Sequence, residues 1–123
     1  MKPVVLFLLL AQVLPLAAAG EAPAWIEAEF RRMSTALVRR DLAAFLANGT
    51  DEAKQALTPE KFSAVCNQIG NSLANGFDTV FLTRARQQGC DVYLWKVTPK
   101  DGGDDLFMKL VLENGKVAGF RIF

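Results

Sequence analysis

The chain has no histidine among its 123 residues. That excludes Ser-His-Asp and Cys-His nucleophiles, histidine-bound zinc and any imidazole acid–base step. Cysteine is scarce. Cys66 and Cys90 lie too far apart for a C-x-x-C redox pair and show no zinc-site spacing. There is no P-loop and no dinucleotide fingerprint, because the glycines of Asp101-Gly102-Gly103-Asp104-Asp105 have no strand-turn-helix around them. No internal repeat or low-complexity tract is visible. An excess of one charge is missing too: with Lys2 set aside, basic and acidic side chains balance at thirteen each. A neutral, mixed-sign surface argues against nucleic acid or an anionic membrane as the main partner.

The single long apolar run is at the start. Met1-Lys2-Pro3 is a short positive opening, Val4 to Leu16 is largely apolar, and Ala17-Ala18-Ala19 supplies small residues of the kind a signal peptidase reads. The run is shorter than the roughly 18 to 20 residues a membrane span needs. The expectation is a cleaved signal peptide over residues 1–19, a periplasmic or secreted location, and one domain over residues 20–123 with no membrane span. In an oxidising compartment a Cys66–Cys90 disulfide is expected, because small secreted domains commonly need a staple. Two buried thiols are the alternative, since Cys66 falls on an apolar helix face.

Ala24 to Arg40 reads as an amphipathic helix, with Ile26, Phe30, Met33 and Leu37 on one stripe. Asp41 can cap a short helix over Leu42 to Ala47, and Asp51 to Ala56 allows another turn. Thr58-Pro59-Glu60 is a clear helix start, followed by an apolar stripe of Phe62, Val65, Cys66, Ile69 and Leu73. Gly70 interrupts that helix, as a close contact or as a break. After Gly76 the period becomes two. Phe77 to Gln87 and Asp91 to Thr98 are strands, and Asp105 to Phe123 is a hairpin about Asn114-Gly115. The order gives an α+β fold: helices packed on one face of a curved antiparallel sheet of three to four strands.

The hairpin register decides which residues face the helices. A two-residue loop sets Met108 opposite Arg121 and Leu112 opposite Val117. A three-residue loop with a Gly115 bulge sets Leu112 opposite Lys116, Leu110 opposite Ala118 and Met108 opposite Phe120. The second buries more apolar surface and no charge, so it is the expected register. It turns Leu106, Met108, Leu110, Phe120 and Ile122 inward and leaves Phe107, Val111, Val117, Arg121 and Phe123 outward.

The stretches Leu57-Thr-Pro-Glu-Lys-Phe62, Asn75-Gly76-Phe77, Gly89-Cys-Asp-Val-Tyr-Leu-Trp-Lys-Val97 and Phe107 to Ile122 carry a resemblance. Together they resemble small exported bacterial domains of the cystatin-like and nuclear-transport-factor-like superfamily, in particular a group of unknown function. The resemblance implies helices and a bent sheet forming a cone. It also implies one of several roles, because that superfamily holds isomerases and dehydratases, protease inhibitors and non-catalytic domains. The inhibitors' Q-x-V-x-G signature is absent from this sequence.

No residue stands out as catalytic and no cofactor or metal is called for. Tyr93 with Asp78 or Asp91 would be needed for isomerase chemistry. Arg84 and Arg86 share one strand face and could grip an anion. The acidic loop Asp101 to Asp105 has calcium-type ligands without EF-hand spacing. Excess apolar surface is the stronger signal: on the strand from Asp91, Val92 and Leu94 occupy one face and Tyr93, Trp95 and Val97 the other. The candidate partner or ligand contacts are therefore Tyr93, Trp95, Phe107, Val111 and Arg121. The expected occupant is a second copy, another protein or a small apolar ligand.

Overall fold

A computed structural model describes residues 21–123. The proposed signal peptide lies outside the described residues. Helix α1 (Ala24–Arg39) is followed by α2 (Leu42–Phe45), α3 (Asp51–Ala56) and α4 (Pro59–Val65). A π-helical turn (Cys66–Gly70) then leads into α5 (Asn71–Ala74). Strands β1 (Phe77–Gln87), β2 (Cys90–Pro99), β3 (Leu106–Glu113) and β4 (Lys116–Ile122) form an antiparallel sheet in the order β1-β2-β3-β4. The chain is an α+β fold with an open four-stranded sheet.

Short polar side chains set the helix starts. Asp41 Oδ1 accepts from the Ala44 N–H at 3.0 Å, Thr50 Oγ1 from Ala53 at 3.1 Å, and Thr58 Oγ1 from Lys61 at 3.2 Å. Each satisfies a donor that the first helical turn leaves unpaired. The apolar stripe of α1 packs down onto the sheet, where Ile26, Phe30, Met33 and Leu37 meet Trp95, Val97, Met108 and Leu110 in one core. Gly70 lies in the π-helical turn at φ −61°, where an added Cβ would sit 3.4 Å from the Leu37 carbonyl oxygen. The glycine marks both a helix irregularity and a close approach of α1.

The two cysteines are free thiols, which corrects the expected disulfide. Cys66 is fully buried in the helix–sheet core, whereas Cys90 opens β2 at the far tip of the β1–β2 hairpin, opposite Gln87. Burial of its apolar flank holds Cys66 in the core, so its sulfur serves as packing. Burial also pushes the Cys66 thiol's pKa up, partly offset by the charge of Arg40.

The final hairpin corrects the expected register. Its turn has two residues, with Asn114 at φ 51° and Gly115 at φ 80°, and Glu113 pairs with Lys116. Both positive φ angles match the right-handed twist of the flanking strands. Leu112 then pairs with Val117 rather than Lys116, and both are buried. The bulge comes later, at Ala118, after which Val111 pairs with Gly119, Leu110 with Phe120 and Met108 with Ile122. The extra residue restores the facing set: Leu106, Met108, Leu110, Phe120 and Ile122 all join or pack against the core. Val117 does so too, contrary to expectation, because it precedes the bulge.

Candidate functional site

β4 is the last strand of the open sheet, so one of its edges has no neighbouring strand among the described residues. Along that edge the chain leaves a cavity of about 340 Å³. Its floor is β4 from Val117 to Ile122, and its walls come from α3, α4 and the π-helical turn. Phe45, Leu57, Phe62, Ile69, Phe120 and Ile122 are among the residues that face it. The aromatic rings interlock there: Phe45 lies 5.2 Å from both Phe62 and Phe120, edge-on to the latter. The volume falls within the range of roughly 300–1,000 Å³ typical of small-molecule sites. Among the described residues Arg121 is the one charged residue in its lining, and no carboxylate joins it.

The upper end of the β4 edge is closed by the chain itself. Val117 N–H donates to the Asn48 carbonyl at 2.8 Å, and Thr50 N–H donates to the Val117 carbonyl at 3.0 Å. Gly49 and Val117 therefore form a parallel bridge, a single rung of a fifth strand. A polar cluster anchors this rung. Asn48 donates to Glu29 Oε2 at 2.7 Å and to the Gly115 carbonyl at 3.1 Å. Arg32 holds the same carboxylate through Nε at 3.0 Å and Nη2 at 3.2 Å, and its Nη1 donates to the Ala44 carbonyl. Partial burial opposes ionisation of Glu29. The hydrogen bonds from Arg32 and Asn48, with the charge of Arg32, outweigh it and hold the carboxyl below its ordinary range.

The five candidate contact residues divide between the two sides of the sheet. Tyr93 and Trp95 belong to the core, 3% and 0% exposed. Trp95 stacks on Phe30, and its indole N–H donates to Glu27 Oε2 at 3.2 Å. Tyr93 packs beside Phe81, with the Arg84 guanidinium 5.7 Å above its ring. Phe107, Val111 and Arg121 lie on the outer face. Phe107 stacks on Phe123 with centroids 5.8 Å apart. Arg121 pairs with Lys109, and Val111 with Gly119.

Tyr93 does not line the cavity, and no carboxylate hydrogen-bonds it among the described residues. The candidate carboxylates are engaged elsewhere. Asp91 meets both Arg84 at 3.4 Å and Arg86 at 3.5 Å, so that arginine pair is already neutralised in part. Asp78 lies 3.9 Å from Lys100. In the acidic loop, Asp101 accepts from its own Gly103 N–H at 2.9 Å and Asp105 from Thr98 at 2.8 Å. The cavity-lining residues Phe45, Phe62 and Ile69 were legible only as core, since a core face and a pocket wall share one apolar pattern. The available signal was positional: the last strand of a meander ends at an edge.

No family model, curated protein or solved structure matches the chain.

Proposed function

We propose that the protein is an exported, non-catalytic binding domain of cystatin-like architecture whose apolar cavity beside β4 receives an apolar group of a ligand or partner. The observation that carries this reading is the cavity: about 340 Å³, walled chiefly by apolar side chains, with no acid–base pair among the described residues that line it. An isomerase-type enzyme would need Tyr93 and a free carboxylate inside such a cavity, and these residues lie apart from it. Ala53 lines the cavity and is half-buried. Ala53→Phe would fill it. Anilinonaphthalene sulfonate should bind the wild-type chain, and the variant should bind it at least tenfold more weakly at an unchanged or higher melting temperature. Equal binding by both would remove the reading.

A second reading, self-association through the outer sheet face, draws support from one observation. Phe107 and Phe123 stack there with Phe123 59% exposed. Lys109 and Arg121 pair in the middle of that face with Lys96 beside Phe107, and none of the three meets a carboxylate among the described residues. A two-fold contact centred on them would oppose like charges, so a dimer would have to centre on the Phe107 or the Val111 end. Sedimentation of the mature chain beside Phe107→Glu tests this: a dimer that the glutamate dissociates supports it, and a monomer in both cases ends it.

A further inference from the structure

The backbone beside the cavity is open. Phe107 and Phe123 exchange both of their hydrogen bonds, at 2.8 and 2.9 Å. In an antiparallel ladder such pairs alternate, so Arg121 and Gly119 also bond toward β3. Phe120 and Ile122 fall between them. Their N–H and C=O groups therefore point away from β3, along the free edge, and no other described segment bonds them. Asn48–Thr50 satisfies only Val117 and then turns away into α3. The two residues with an open backbone are also the two whose side chains turn inward to the cavity.

We propose that the β4 edge at Phe120–Ile122 receives an extended segment of a partner protein with the pattern apolar–acidic–apolar, which adds as a strand beyond the Asn48–Thr50 rung. The proposal rests on the cavity being a binding site and names its occupant. Residues of the added strand opposite Phe120 and Ile122 turn their side chains inward to the cavity, while their main chain completes the open hydrogen bonds. The residue between them lies opposite Arg121 and shares its outer face. Arg121 already has Lys109 against it on the β3 side and has no carboxylate partner among the described residues. An aspartate or glutamate at that position relieves the like-charge pair. A second copy fits less well, because pairing β4 with β4 about Phe120–Ile122 sets Arg121 against Arg121. A free acyl chain would fill the cavity and leave the edge groups unpaired.

The probe is a pool of acetylated, amidated pentapeptides, Thr-X-Glu-X-Thr, with X drawn from Val, Ile, Leu and Phe. Hydrogen exchange of the Phe120 and Ile122 amides is followed in the wild-type chain, with anilinonaphthalene sulfonate as a separate cavity probe. The expected result is exchange slowed at least tenfold at both amides by saturating peptide. Binding should fall at least tenfold when the two X amides are N-methylated, and about fivefold when Lys replaces Glu. If the dye binds but no peptide slows those amides, strand addition is overturned and the cavity reading survives. If neither binds, both fall. If Lys binds as well as Glu, the role given to Arg121 is overturned.

Discussion

Phe30 lies nearly flat on Trp95, with ring centroids 4.2 Å apart and planes 11° from parallel. The pair joins α1 to the centre of the sheet, and both rings are essentially removed from water. Phe81 meets the same indole edge-on at 5.6 Å, so Trp95 is held from two sides. These contacts make the Trp95 position the centre of the helix–sheet packing.

Removing one ring tests that statement. Phe30→Ala should cost about 3–5 kcal/mol, the range for deleting a buried aromatic side chain. Phe30→Leu keeps most of the volume and should cost about 1 kcal/mol, the scale of the stacking contribution. Urea unfolding at neutral pH measures both. A cost near zero for Phe30→Leu beside a large cost for Phe30→Ala would show that the stack adds nothing beyond bulk.

The cluster around Glu29 should make stability depend on acidity. Its carboxyl is held below the ordinary value of 4.5 by Arg32 and Asn48 against the opposing effect of burial. A depressed folded-state pKa stabilises the fold fully above that ordinary value and loses the contribution as pH falls through the folded value. The unfolding midpoint should therefore drop on acidification below about pH 4.5. Glu29→Gln keeps an acceptor but no charge, so its midpoint should drop less over the same interval. Parallel curves for the two chains would assign the pH dependence elsewhere.

The thiols give a third test. Cys90 is partly exposed at a strand end and should react with an aromatic disulfide reagent in the folded chain. Cys66 should react only on unfolding, since it is buried and its thiol is pushed toward the protonated form. Cys66→Ser would bury a hydroxyl without an assured partner and should cost about 1–3 kcal/mol. Cys90→Ser should change stability by no more than about 0.5 kcal/mol. Failure of either thiol to react in denaturant without reductant would restore the bridge.

The hairpin shows which parts of this fold were legible in the sequence. Asn114-Gly115 announced the turn, and alternation announced the inward face of Leu106, Met108 and Leu110. The two signals conflict by one residue, because a two-residue turn alone would bury Arg121. Placing the extra residue in the turn and placing it at Ala118 give the same inward face from Phe120 onward and differ only at Lys116 and Val117, too little for apolar patterning to choose between them. The backbone chooses: Asn-Gly satisfies the two-residue turn without strain, and Ala118 absorbs the difference. The helix caps at Asp41, Thr50 and Thr58 were local and readable. The cavity was not, since it depends on how far apart two apolar surfaces stand. Deleting Ala118 should turn Phe120 and Ile122 outward and Arg121 inward. The shortened chain should give no cooperative unfolding transition, and a transition near the wild-type midpoint would refute the role given to this bulge.

Gly70 offers the finest test of packing, because two effects of similar size oppose each other there. Glycine within a helical segment costs up to about 1 kcal/mol relative to alanine through backbone entropy. Against that gain, a methyl group would stand 3.4 Å from the Leu37 carbonyl oxygen and 3.9 Å from Cys66 Cβ, both ordinary van der Waals distances. The φ of −61° imposes no strain on a side chain. Entropy should win for a single carbon, so Gly70→Ala should raise stability by less than about 1 kcal/mol. One more step in size should reverse the sign, because Gly70 is buried and the longer side chain of Gly70→Leu must displace its packed neighbours. That variant should lose about 1–3 kcal/mol by overpacking. Thermal unfolding of the pair decides the matter. If alanine destabilised as strongly as leucine, α1 and the π-helical turn would have to approach more closely than 3.4 Å allows.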